Sequence, residues 1–249
     1  MTETLLEVTH LHKSFGALKA TDDLNFSIKR GHIHALIGPN GAGKTTAVNQ
    51  LSGDLLPDSG SIHFNGTQIT RLAPHKRAKL GLARSYQITS IFDELTVAEN
   101  MTLAILAQRN HNFRFWRKAD KTRRVLEELP AALDRVDLSG RKDFLSANLS
   151  HGEKRQLEVG MSLVGKPELL ILDEPMAGMG PGGTIELSKL IQSLKGDLTI
   201  LLVEHDMNVV FALADMITVL VNGQNIATGP PNEIRTNLAV RKAYLGEEE

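Results

Sequence analysis

The run His32-Ile33-His34-Ala35-Leu36-Ile37 ends in Gly38-Pro39-Asn40-Gly41-Ala42-Gly43-Lys44-Thr45, and the helix-compatible stretch Thr46-Ala47-Val48-Asn49-Gln50-Leu51 follows directly. A largely unbroken apolar run is what a strand covered on both faces looks like. The segment therefore predicts a buried parallel strand, a tight glycine-rich loop and a helix in immediate succession. The loop satisfies Gly-x-x-x-x-Gly-Lys-[Ser/Thr] in the flanking context that gives this pattern its meaning. Its glycines let the backbone wrap closely around phosphates, so that successive N–H groups and the positive end of the helix face the negative charge. In that reading Lys44 reaches the β- and γ-phosphates of a nucleotide and Thr45 ligates Mg2+. The plain alternative is an ordinary strand-to-helix turn, which the full motif and its flanks disfavour.

The rest of the chain fits an α/β class. Leu6–Leu11 and Leu24–Ile28 alternate as half-buried antiparallel strands do, and Ser61–Phe64 followed by Asn65-Gly66 reads as a strand entering a tight turn. Together they predict a small β-rich N-terminal layer. From about Val97 to Arg135 the period becomes helical, with Leu103, Leu106, Val125, Leu126, Leu129 and Leu133 at apolar positions. This predicts a helical subdomain, over approximately 90–160, inserted in the nucleotide-binding core. Leu169–Leu172, Thr199–Val203 and Ile217–Leu220 then alternate with helical patterns, as in a mostly parallel sheet. No internal repeat or linker divides residues 1–249, which read as one domain with two lobes.

A second chemical element ends the run Leu169-Leu170-Ile171-Leu172-Asp173-Glu174-Pro175, where two carboxylates follow a buried strand. Ligands of open α/β sheets collect at such strand ends. Asp173 is suited to hold Mg2+ directly or through its water, and Glu174 to orient and deprotonate a water attacking the γ-phosphate. Taken alone, the same residues could simply end the strand and cap a turn. A third element, Leu149-Ser150-His151-Gly152-Glu153, opens a helical segment and has the Ser-x-x-Glu spacing of a capping box. The Ser150 hydroxyl, the Gly152 N–H and the positive helix end equally make a γ-phosphate site, and the two roles are compatible.

With these three elements in this order, the chain resembles the ATP-binding-cassette (ABC) ATPases over essentially its whole length. That resemblance implies a P-loop NTPase fold with a RecA-like, mostly parallel core, an N-terminal antiparallel β-layer and an inserted α-helical subdomain. Gly38 to Thr45 matches the family's Walker A, which with Thr46 binds nucleotide. Leu149 to Glu153 matches the signature, implying that Ser150, His151, Gly152 and Glu153 approach nucleotide, and Leu169 to Glu174 matches Walker B. By the same resemblance Gln87 is the Q-loop glutamine near Mg2+ and the attacking water, His205 is the switch histidine on the γ-phosphate, and Phe15 stacks on adenine. Each of these three is a weak signal alone. Glu204-His205-Asp206 could suggest a metal site, but adjacent residues in an extended stretch point to different faces. His151 and Glu153 depart from the usual glycine and glutamine of the signature, and Gly180 stands where the D-loop carries Asp or Asn.

Ala83-Arg84-Ser85-Tyr86-Gln87, Pro175-Met176-Ala177-Gly178-Met179, Val203-Glu204-His205-Asp206-Met207 and the tail Ala243-Tyr244-Leu245-Gly246-Glu247 resemble the branched-chain amino-acid importer group, which includes urea and amide importers. The implied function is an ATPase, with ATP and Mg2+, energising import of branched-chain or other hydrophobic amino acids. The implied partners are a second ATPase subunit head to tail, two integral membrane permease subunits and, indirectly, an extracytoplasmic solute-binding protein. The alternatives are an importer ATPase for urea or amides and a soluble ABC protein acting in translation or DNA repair, though for the latter a second cassette, a long heptad insertion and a strongly basic tail are missing. A P-loop kinase would leave the signature and His205 without purpose.

Composition agrees with these limits. The chain has 249 residues, no cysteine and a net charge of -1, so thiolate chemistry is excluded and no general attraction for nucleic acid is expected. The acidic start reads as mature, without a secretory signal, and the apolar runs are far shorter than the roughly 20 residues of a membrane helix. The expected location is the cytoplasmic face of the inner or plasma membrane, peripheral through membrane subunits. Asn112-Phe113-Arg114-Phe115-Trp116-Arg117-Lys118 mixes aromatic and basic residues; it reads as a helix-connecting surface segment with its aromatics tucked inward, with base stacking or membrane-surface contact as alternatives.

Overall fold

The computed structural model describes residues 3–85, 91–107 and 118–245. Gln87, Tyr86, most of the 112–118 segment and the end of the C-terminal tail lie outside the described residues. Along the chain come β1 (Thr4–Phe15), β2 (Leu18–Lys29), β3 (Ile33–Ile37), α1 (Lys44–Ser52), β4 (Ser59–Phe64), β5 (Thr67–Gln68), α2 (Pro74–Lys79) and β6 (Leu82–Ser85). There follow α3 (Val97–Ala107), α4 (Lys118–Asp134), α5 (His151–Leu163), β7 (Leu169–Asp173) and α6 (Pro181–Ser193). The chain closes with β8 (Thr199–Val203), α7 (Met207–Leu213), β9 (Met216–Val221), β10 (Gln224–Gly229), α8 (Pro231–Thr236) and α9 (Leu238–Leu245).

One compact unit comprises residues 1–84, 168–175 and 192–249. Its first sheet has the order β2-β1-β4-β5 with antiparallel pairing throughout. Strands β1 and β2 outrun the alternating segments because His10 and Asp23, at φ 47° and 58°, interrupt the pleat and let the hairpin continue to Phe15 and Leu18. The Asn65-Gly66 turn has positive φ at both residues, 49° and 72°, as a two-residue type I′ hairpin requires. The second sheet has the order β10-β9-β3-β8-β7-β6. In it β3 lies parallel to β8 and β9, and β7 parallel to β8, while β10 returns antiparallel to β9. Strands β3, β7 and β8 are buried at every position, which explains their continuous apolar character.

Arg77 is a buried charge that nonetheless belongs to this core. It is 1% exposed and donates to the carbonyls of Gln50, Leu51, Thr70 and Leu72 at 2.7–2.9 Å, satisfying two acceptors at the C-terminal end of α1 and two in the segment leading into α2.

The second unit comprises residues 85–167 and 176–191 and is helical, with α3, α4 and α5 packed on one another. Its buried residues include Val97, Met101, Ile105, Leu133, Val136 and Leu157. Gly160 permits the approach of α5, since a Cβ there would sit 2.8 Å from Met101 Cε. Of the apolar positions read from helical spacing, Leu133 is buried and Leu106, Val125 and Leu129 are half-buried, whereas Leu103 is 41% and Leu126 70% exposed. Both satisfy the helical period but fall on the outward side of α3 and α4. Among the described residues, no helix is long and apolar enough to cross a membrane.

Candidate active site

The loop after β3 is built around glycines that only glycine can satisfy. A Cβ on Gly38 would lie 2.3 Å from the Leu220 carbonyl, and one on Gly43, at φ 101°, 2.1 Å from the Ala20 carbonyl. Gly41, at φ 78°, instead has open space around it. The start of α1, capped by Gly43, has neither a side-chain cap nor an acidic residue in its first turn, as an anion site does. Lys44 arches back over this loop, donating from Nζ to the Gly38 carbonyl at 2.6 Å and the Pro39 carbonyl at 3.1 Å. Burial lowers its pKa, and the nearby carboxylates of Glu174 and Asp173 oppose that shift.

The loop is braced from below by a turn that the sequence reading passed over. Asn222 and Gly223, at φ 49° and 79°, close the β9–β10 hairpin, and the Gly223 N–H donates to the Ala42 carbonyl at 2.9 Å. The Asn-Gly pair between two strands was the available signal.

Asp173 ends β7 and is 4% exposed, whereas Glu174 follows in the left-handed region at φ 48°. Its N–H donates to the Val203 carbonyl at 2.9 Å, so β8 holds this strained residue in place. A non-glycine residue in that region, held by its surroundings, is typical of a site where backbone strain aims a side chain. Asp173 accepts at 2.9 Å from Arg84 Nη2, which projects from the adjacent strand β6. Arg84 is a further residue of this site without a role in the sequence reading; an arginine in a short strand carries no local signal.

His205 follows β8 and its side chain is 62% exposed, while Glu204 before it is fully buried. His205 Nδ1 is 3.8 Å from Glu204 Oε2. Asp206 caps α7, accepting from the N–H groups of Asn208 and Val209. Among the described residues no group of three His, Cys, Asp or Glu side chains is placed to hold a metal ion. Phe15 lies at the β1–β2 tip, 51% exposed, with Lys13 Nζ 5.8 Å from its ring centroid. The β-sheet order thus brings the Gly38–Thr45 loop, Asp173, Glu174, Arg84 and His205 to the ends of neighbouring strands β3, β7, β6 and β8.

In the helical unit, the capping box on α5 is complete. Ser150 Oγ accepts from Glu153 N at 3.2 Å, and Glu153 Oε2 accepts from Ser150 N at 2.8 Å. Glu153 Oε1 also accepts from Arg141 Nε at 2.8 Å. Partial burial would raise the Glu153 pKa, but the bonds from Ser150 and Arg141 outweigh it and hold the carboxyl below its ordinary value. His151 is exposed, whereas Gly152 is buried where an added Cβ would meet Gly183 Cα at 3.1 Å. Gly180 stands directly before α6, its carbonyl accepting from Thr184 N at 3.1 Å.

Comparison with known proteins places this geometry. The family described as "ABC transporter" matches residues 21–177, and the one described as "Branched-chain amino acid ATP-binding cassette transporter" matches residues 224–249. The chain belongs to the ABC transporter family. The cassette is 37% identical over 256 residues to the high-affinity branched-chain amino acid transport ATP-binding protein BraF of Pseudomonas aeruginosa, covering 99% of this chain and 100% of that protein. It is 38% identical over 254 residues to LivG of Escherichia coli, a protein of the same description, with 99% and 100% coverage. Among solved structures, the ADP conformation of an ATP-binding cassette of an ABC transporter superposes with a TM-score of 0.87 at 29% identity, covering 99% of this chain and all of that one. A nucleotide-free ATP-binding cassette gives 0.85 at the same identity, covering 98% of this chain and 100% of that one. The cassette therefore has the P-loop NTPase fold expected of it and is an ATP-binding, ATP-hydrolysing subunit that serves a transporter.

Proposed function

We propose that the cassette hydrolyses ATP with Mg2+ to power import of branched-chain amino acids, with the Gly38–Thr45 loop, Asp173, Glu174 and His205 as the residues that act on nucleotide. The observation that carries the catalytic part is the strained Glu174 beside the buried Asp173 and Lys44, at the strand ends that also carry the glycine loop. The cargo is inferred from the relatives and from the match of the C-terminal residues 224–249.

In this reading the loop N–H groups and Lys44 cradle the phosphates, and Phe15 stacks on the adenine. The donor set fits Mg2+: the Thr45 hydroxyl and the buried carboxylate of Asp173 would be hard oxygen ligands, of the number a nucleotide-bound Mg2+ takes from protein. Mg2+ would supply neutralisation of charge on the β- and γ-phosphate oxygens. Glu174 orients the attacking water and accepts its proton, and His205 contacts the γ-phosphate. Gln87 is assigned the sensing role near that water.

Two such subunits, identical or related, would meet head to tail, Ser150 to Gly152 of one closing on the nucleotide held by the other. Release of the γ-phosphate removes charge-assisted contacts made only across that interface, so hydrolysis separates the subunits. The helical subdomain, over approximately 90–160 of a single 1–249 domain, docks the two permease subunits. This leaves the cassette at the cytoplasmic face of the membrane, with a solute-binding protein delivering cargo from the other side. E174Q tests the catalytic assignment: it is expected to retain ATP and accumulate an ATP-dependent dimer in size-exclusion chromatography, with hydrolysis reduced at least about 100-fold, within the range of general-base effects. Turnover at the normal rate would remove Glu174 from its role.

A further inference from the structure

Arg84 is the last residue of the nucleotide-binding unit before its chain leaves for the helical one, and its side chain is 8% exposed. One arm, Nη2, donates to Asp173 Oδ2 at 2.9 Å. The other, Nη1, donates to Asn49 Oδ1 at 2.7 Å, Ser52 Oγ at 3.0 Å and Asp54 Oδ2 at 3.1 Å. These three acceptors lie at or just beyond the C-terminal end of α1, the helix whose N-terminal end carries Lys44 and Thr45. A planar guanidinium gripped at both ends is a rigid strut, which the flexible stem and compact charge of lysine cannot reproduce.

A buried ion pair contributes little net stability, because desolvation offsets its Coulomb attraction. What this one does is geometric. Helix α1 is rigid, so tying its far end to Asp173 sets where that carboxylate stands relative to Thr45 at the near end. The bond engages one carboxylate oxygen, Oδ2, and fixes the rotation of the group about its own axis.

We propose that Arg84 is a positioning residue, which holds Asp173 in register with α1 so that its carboxylate meets the nucleotide-bound metal. The inference rests on the reading of Asp173 as the carboxylate that holds that metal. Partners of metal-holding groups typically contribute about 10- to 100-fold to metal affinity. Arg84 is therefore expected to matter for the metal and not for nucleotide binding as such.

Mn2+ is the probe, its binding to the ADP complex of the full chain followed by electron paramagnetic resonance, with ADP affinity measured separately in EDTA. R84K is expected to weaken Mn2+ binding about 10-fold while ADP affinity in EDTA stays within about twofold. In a D173N background, R84K should then have no further effect on Mn2+, because the group it positions is gone. N49A, which loosens the far grip and leaves the Asp173 bond, is expected to weaken Mn2+ in the same direction by a smaller factor, and it decides the question if R84K fails to fold. Wild-type Mn2+ affinity in folded R84K or N49A, with D173N impaired, would overturn the role of Arg84 alone. Loss of ADP affinity in EDTA to the same degree would overturn it too, showing a general collapse of the site. Wild-type Mn2+ affinity in D173N would overturn the underlying assignment of Asp173.

Discussion

His34 lies in β3, the strand that delivers the glycine loop, and is 1% exposed. Its Nε2 shares a 2.8 Å hydrogen bond with Thr218 Oγ1, and Thr218 in turn pairs with Thr228 at 2.9 Å, while the Phe26 ring stands 5.8 Å away. This environment accommodates a neutral imidazole. Burial, with a smaller push from His32, lowers its pKa from 6.5 to about 4. The folded pKa is depressed, so between these values the unfolded chain binds the proton that the folded chain refuses, and stability rises with pH. The contribution is complete above pH 6.5, falls as the pH drops, and is exhausted near pH 4. At 1.36 kcal/mol for each pH unit the whole window is worth about 3 kcal/mol, of which about 2 kcal/mol is lost by pH 5. Urea unfolding of the wild type and H34Q at about pH 7.5 and about pH 5 reads this directly. H34Q retains a side-chain amide for Thr218 but cannot titrate. It should be the less stable protein at the higher pH, having lost the ring packed near Phe26, and should show a fall on acidification smaller by about 2 kcal/mol. Parallel pH dependences in the two proteins would refute the reasoning. H32Q, which removes only the secondary influence, is expected to leave most of the slope in place.

Two further substitutions separate structural from functional roles. R77M removes the donor for four carbonyls, two at the end of α1 and two in the segment leading into α2, and is expected to cost about 3 kcal/mol in urea unfolding; a change below about 1 kcal/mol would show that those acceptors find other partners. S150A breaks the capping box and is expected to cost only about 1 kcal/mol in stability, while ATP-dependent dimerisation in the E174Q background falls by a larger factor; equal, small effects on both would leave Ser150 a cap and nothing more.

The parts of this molecule that could be read in advance are those where local geometry restricts residue type. Gly43 has to be glycine because of its φ of 101° and the Ala20 carbonyl 2.1 Å from where a Cβ would be, so its need is written into a short motif. Ser150 and Glu153 satisfy each other three residues apart, and Asn65-Gly66 closes its hairpin from within. The exposure of Leu103 and Leu126 was hidden for a different reason: a helical period shows that a face exists, and neighbouring elements decide which face is covered. Arg84 and Arg77 lie further out of reach still. Arg84 meets a carboxylate 89 residues away only because β6 and β7 are neighbours in the sheet, and Arg77 meets the end of α1 across 26 and 27 residues. Motif recognition therefore finds the groups proposed to touch phosphate, because phosphate binding acts on contiguous backbone, and it overlooks those that hold such groups in register. The strain at Glu174 belongs to the second kind. A glutamate at φ 48° has no local reason to be there, and what keeps it there is the bond from its N–H to Val203 on β8. The backbone that carries that carboxylate is thus held by the sheet, across from β7 to β8, and not by its neighbours in sequence.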